Sequence, residues 1–157
     1  MTLHSFRGRA TGVIPIRLAL GLVLLGAARF AGASNAPALL AFVVGVFGIT
    51  FVIFNDPRAR FARGEVDPLD APQDAVVAPR WRQALAATLP STVAVALLAC
   101  IALVPQPTLA ALLAGVEAGL GVAALLSLGR IDPALYLDPR TGIVYRRPEP
   151  GSAPTSA

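Results

Sequence analysis

Four long apolar runs, at residues 14–32, 37–54, 83–104 and 108–129, constrain this chain more than any other feature. Each is close to the roughly 20 residues that cross a bilayer core as a helix. Of 157 residues, 55% are hydrophobic and only 14% charged, whereas an ordinary soluble domain is about 25% charged. The expected fold class is therefore an all-α membrane protein with four transmembrane helices. The links inside each pair of runs are short, residues 33–36 and Pro105-Gln106-Pro107. Short links make antiparallel neighbours, so the helices are expected as two hairpins.

The runs divide the chain into a cytoplasmic N-terminal segment at 1–13, a first transmembrane hairpin at 14–54, a polar loop at 55–82, a second hairpin at 83–129, a β-hairpin at 130–147 and a tail without apolar pattern at 148–157. A second reading of the first run is a cleaved signal sequence, with an apolar core at 18–28 and small residues Ala31 and Ala33 where cleavage would fall. The β-hairpin is read from Asp138-Pro139-Arg140-Thr141-Gly142 between apolar pairs. Proline presets the second position of a turn, aspartate bonds back to the backbone, and glycine supplies positive φ. That loop length places Tyr136 opposite Tyr145. Asp-Pro recurs at Asp56, Asp67, Asp132 and Asp138, each read as a turn former and not as a catalytic acid.

The net charge of +4 comes with thirteen basic residues, all arginine. In a soluble chain that excess would suggest nucleic acid. Here twelve of the thirteen fall in the N-terminal segment, the central loop and the C-terminal segment, and only Arg29 lies on the other side. The arginines thus report topology, with both termini and the central loop cytoplasmic in a bacterial inner membrane, and no nucleic-acid partner. Trp81, between Arg80 and Arg82, reads as an interfacial anchor, and Arg17 as a first-turn residue that snorkels to the interface.

A single cysteine, Cys100, and a single histidine, His4, supply neither a Cys/His zinc site nor a pair of haem ligands. No nucleophile with its base is apparent, so no enzyme activity, metal or cofactor is expected. Two patterns within the runs remain. Ala111, Gly115, Gly119, Ala123 and Ser127 recur every fourth residue in the last run, and Thr88, Thr92, Ala96 and Cys100 do so in the third. Small-residue stripes let helices approach closely in lipid, so these two are expected to face each other.

Glu117 lies near the middle of the fourth run. An ionisable group at that depth is costly and faces protein or water. Arg29 is the other charge read as lying well inside a run, and it is the expected partner of Glu117. Three roles are open to Glu117: an ion pair that docks the hairpins, a protonated hydrogen-bonded acid, or a coupling site for proton or cation transport. The leading functional expectation is a non-enzymatic interaction or accessory subunit in contact with the lipid bilayer and with a homo-oligomeric or membrane-protein partner. The alternative is a small oligomeric transporter or channel using Glu117.

Overall fold

The computed structural model describes residues 2–55, 68–72 and 75–146. The chain order is β1 (Thr2–Ser5), α1 (Phe6–Phe30), α2 (Asn35–Asn55), β2 (Leu69–Asp70), β3 (Val76–Val77), α3 (Arg80–Ala102), α4 (Pro107–Ser127), a 3₁₀ turn (Leu128–Arg130), β4 (Leu135–Leu137) and β5 (Val144–Arg146). The four long helices are all apolar and long enough to cross a membrane, the pattern of a multi-pass membrane protein.

α1 starts eight residues before the apolar run. Ser5 caps it, its Oγ accepting a hydrogen bond from the Gly8 N–H at 3.2 Å, and a capped backbone continues as helix whatever the polarity of Arg7, Arg9 and Thr11. Pro15 therefore lies inside the helix, and Arg17 sits at its middle instead of in its first turn. The early start corrects the snorkelling expectation: Arg17 is only 6% exposed.

α4 is the axis of the bundle. It packs along much of its length against α1 and α2, and less extensively against α3. Nearly every buried position on it is alanine or glycine, because only small side chains let three neighbours close on one helix. α2 is the opposite case, burying only Ala38 and Gly45 while Leu40, Val44, Phe47 and Phe51 stand exposed. A helix apolar all round with one thin contact line suits a lipid-facing position.

The pairing differs from two self-packed hairpins. α1 and α2 are joined by the tight link at 31–34, where Gly32 has a φ of 106°, but they touch little. The contacts expected between the small stripes are also redistributed. Gly115 lies against the Phe42 backbone, Gly119 against Val46 and Ile49, and Gly45 against Leu112 and Val116, so the α4 stripe faces α2. Thr50 Oγ1 seals this contact by donating to the Gly119 carbonyl at 3.2 Å. On α3, Thr88 and Thr92 are buried, but Ala96 is half-buried and Cys100 exposed, and the buried line continues through Ala99 and Ala102. Four residues turn an α-helix by about 400°, so a strict four-residue stripe drifts about 40° per step and leaves a straight interface.

The β-hairpin forms as expected, with Tyr136 paired to Tyr145 and Gly142 at φ 73°. It is not isolated, however. β1 pairs with β4 and β3, and β2 pairs with β5, giving one five-stranded sheet in the order β2-β5-β4-β1-β3. The segments read as plain polar connections at both ends of the first hairpin thus supply three strands. Two-residue strands carry no readable alternation, and their pairing is non-local. Asp132 and Asp138 act as turn formers, each carboxylate accepting the backbone N–H two residues on, at 2.8 and 3.0 Å. Asp56 and Asp67, Arg147 and the C-terminal tail lie outside the described residues.

Gln83 joins sheet to bundle. It is 2% exposed; its Oε1 accepts from the Ser5 N–H at 3.1 Å and its Nε2 donates to the Ala78 carbonyl at 2.5 Å. Gln83→Leu leaves both backbone groups without partners, so a loss of about 2 kcal/mol is expected, read as a lower thermal midpoint in detergent with intact helix content.

Candidate functional site

The polar centre of the bundle is built by α1, α3 and α4. Glu117 is fully buried. Thr92 Oγ1 on α3 donates to Glu117 Oε1 at 2.8 Å, and Arg17 Nε on α1 lies 3.9 Å from the same oxygen. The Arg17 guanidinium continues to α3, where Nη2 donates to Ser91 Oγ at 2.6 Å and to the Ala87 carbonyl at 3.5 Å. Arg17 Nε and Glu117 Oε2 are buried and make no hydrogen bond. One carboxylate and one guanidinium thus tie three helices together by side chains.

The partner of Glu117 is Arg17, not Arg29. Arg29 is exposed in the last turn of α1. Counted from the ends opposite the sheet, Phe30 and Pro107, Arg17 lies about 20 Å deep and Glu117 about 15 Å, whereas Arg29 lies within about 2 Å of its end. Depth counting from the true helix ends would have selected Arg17. What concealed it was the start of α1, since an apolar run beginning at Ile14 makes Arg17 look peripheral.

The small residues set this geometry. Gly21 admits Ala114 and Ala118 of α4, Gly121 lies against Leu18 and Arg17, and Gly12 lies against Ala84 of α3. These approaches bring the α1 backbone near enough to α3 and α4 for a mid-helix arginine to reach both. Of the other positions singled out from the sequence, Thr88 donates back to the Ala84 carbonyl and Ser127 to the Ala123 carbonyl, each closing its hydroxyl within its own helix. Among the described residues no group of three or more His, Cys, Asp or Glu side chains converges as metal ligands do.

A second polar region lies on the sheet. His4 is buried on β1 with Nδ1 unbonded. Its pKa is held below the usual 6.5 by burial first and by the Arg9 charge second, with Asp138 opposing. Asp138 is held below 3.8 by hydrogen bonds from the Arg140 backbone and the Thr141 side chain. Both folded pKa values are depressed, so the unfolded chain binds more protons and stability declines as pH is lowered. The His4 contribution is present above pH 6.5 and is lost as pH falls through that value; the Asp138 contribution is lost only below 3.8. A lower thermal midpoint at pH 5.5 than at pH 7.5 is expected, and His4→Phe should flatten this difference.

Comparison with protein-family models, with curated proteins and with solved structures gives no match. A functional reading therefore rests on the site itself.

Proposed function

We propose that this chain is a non-enzymatic interaction or accessory subunit of a bacterial cytoplasmic membrane, a four-helix anchor carrying a small sheet to which a partner docks. The observation behind this reading is the enclosure of Glu117 within one chain by Arg17 and Thr92. A carboxylate neutralised by its own bundle serves docking of helices better than passage of an ion. The sheet leaves Leu69 and Val76 exposed on its two edge strands, the kind of apolar edge that pairs with another chain.

The arginine distribution supports an orientation with the sheet in the cytoplasm. Arg7, Arg9, Arg80, Arg82, Arg130, Arg140 and Arg146 belong to the strands, turns and helix ends on the sheet side, and Arg29 to the opposite end. Trp81, exposed in the first turn of α3 with Arg82 5.2 Å from its ring centre, fits a headgroup-level anchor there. Retention of α1 fits the same reading, since its removal would strip Glu117 of Arg17 and the sheet of β1.

Photo-crosslinking in native membranes tests the proposal. A crosslinker at Leu69 or Val76 should give a protein adduct of one reproducible mass, absent from a crosslinker at lipid-facing Phe47. Lipid adducts alone at all three positions would count against it. A second reading, a small oligomeric transporter or channel, draws on Glu117 Oε2, which is buried without a hydrogen bond. Ion flux into proteoliposomes that vanishes in a correctly folded Glu117→Gln protein would establish that reading over the first.

A further inference from the structure

A cavity of about 240 Å³ opens at the sheet end of the bundle, bounded by all four helices. Arg9, Val13 and Arg17 of α1 line it together with Ile53 of α2 and Leu120 and Ser127 of α4. Its wall is mostly apolar, yet two arginines and no acidic residue line it. Arg17 is balanced by Glu117 behind it. Arg9 is half-buried and has no hydrogen bond or ion pair among the described residues, so the cavity carries one unbalanced positive charge. An unpaired charge partly removed from water is costly, and an anion seated beside it relieves that cost.

Depth identifies the anion. Counting back from Phe30, the roughly 30 Å of a hydrocarbon core takes about 20 residues of helix and ends near Ala10. Arg9 therefore stands at the boundary where lipid phosphates lie, and the apolar wall runs inward from it. Arg130, three residues beyond the lining Ser127 and stacked 4.8 Å from the ring centre of Phe54, adds to the positive potential. A phosphate above and hydrocarbon below match this cavity better than a small soluble anion, which would leave Val13, Ile53 and Leu120 facing no apolar group.

We propose that the Arg9 cavity binds one anionic phospholipid of the sheet-side leaflet, with its phosphate on Arg9 and the start of an acyl chain against Val13, Ile53 and Leu120. A net-negative headgroup is selected over a zwitterionic one because a choline ammonium would be brought against Arg9, Arg17 and Arg130.

Native mass spectrometry of the detergent-purified chain tests this with phosphatidylglycerol, phosphatidylcholine and inorganic phosphate as probes. The wild type should retain phosphatidylglycerol over phosphatidylcholine, and Arg9→Gln should weaken that retention about tenfold, the scale of one charge-assisted contact. Arg9→Lys should keep most of it, and Arg7→Gln, exposed two residues away on another face of α1 and outside this cavity, should keep all of it. Ala124→Leu fills the cavity with every charge in place, so it should lose the lipid at an unchanged thermal midpoint, and it decides the matter should Arg9→Gln not fold. Equal retention of the two lipids, full retention by Arg9→Gln or Ala124→Leu, or displacement of the lipid by inorganic phosphate would each overturn the proposal.

Discussion

Replacing Arg17 by methionine is expected to destabilise the bundle by about 3 kcal/mol or more, because it leaves the fully buried Glu117 carboxyl without its counter-ion. Glu117 has no exposed surface, and Arg17 is its sole charged partner among the described residues. Glu117→Leu should cost a similar amount for the converse reason, stranding a guanidinium that keeps only Ser91 and the Ala87 carbonyl. The double substitution should cost much less than the sum of the two, since a pair of apolar side chains of similar volume requires no desolvation of charge. Unfolding free energies in mixed micelles measure all three variants. Additive losses would show that the two side chains stabilise the fold separately, and the ion-pair account would fail.

The second large effect is expected at the α2–α4 contact. A Cβ at Gly115 would run into the backbone of Phe42 and one at Gly119 into the backbone of Val46, and backbone atoms do not move aside as a flexible side chain does. Gly115→Val should therefore force the helices apart, with a loss of about 3 kcal/mol or more, at or beyond the upper end of ordinary overpacking. The control is Gly26→Ala on α1, where a Cβ meets nothing within 4 Å. There the better helix propensity of alanine should give a gain of up to about 1 kcal/mol. Thermal unfolding followed by circular dichroism separates the two, and a tolerated Gly115→Val would mean that α2 is not held on α4 through this stripe.

These two sites differ in how far they could be read from the chain. Gly115 and Gly119 stand out by spacing, and each lies against the α2 backbone. Which helix they contact does not follow from the spacing, since α2 and α3 are both apolar and the four-residue stripe rotates as it ascends. Glu117 stands out because a charge at mid-span is rare. Its partner was obscured because the boundary of α1 depends on Ser5 as a cap and not on hydropathy. Gln83, which holds the sheet on the bundle, gives no signal at all, being one polar residue at the start of an apolar run.

The sheet shows the same division. The turn chemistry of Asp138-Pro139-Arg140-Thr141-Gly142 suffices to place β4 against β5 with Tyr136 opposite Tyr145. β1, β2 and β3 are two to four residues long, too short to show a period. They are strands only because tertiary folding brings the N-terminus and the central segment to the edges of that hairpin.

By itself, then, the sequence determined four membrane-length helices, their short links, the turn of the last hairpin and the mid-span position of Glu117, all of which depend on local composition and spacing. Only the tertiary structure decided that α4 is the axis, that Arg17 faces Glu117, that Arg9 lines a cavity with no ion-pair partner among the described residues and that five short strands make one sheet. The physical reason is that apolarity decides which segments leave water, whereas close packing decides which surfaces meet, and many surfaces of these helices are equally apolar.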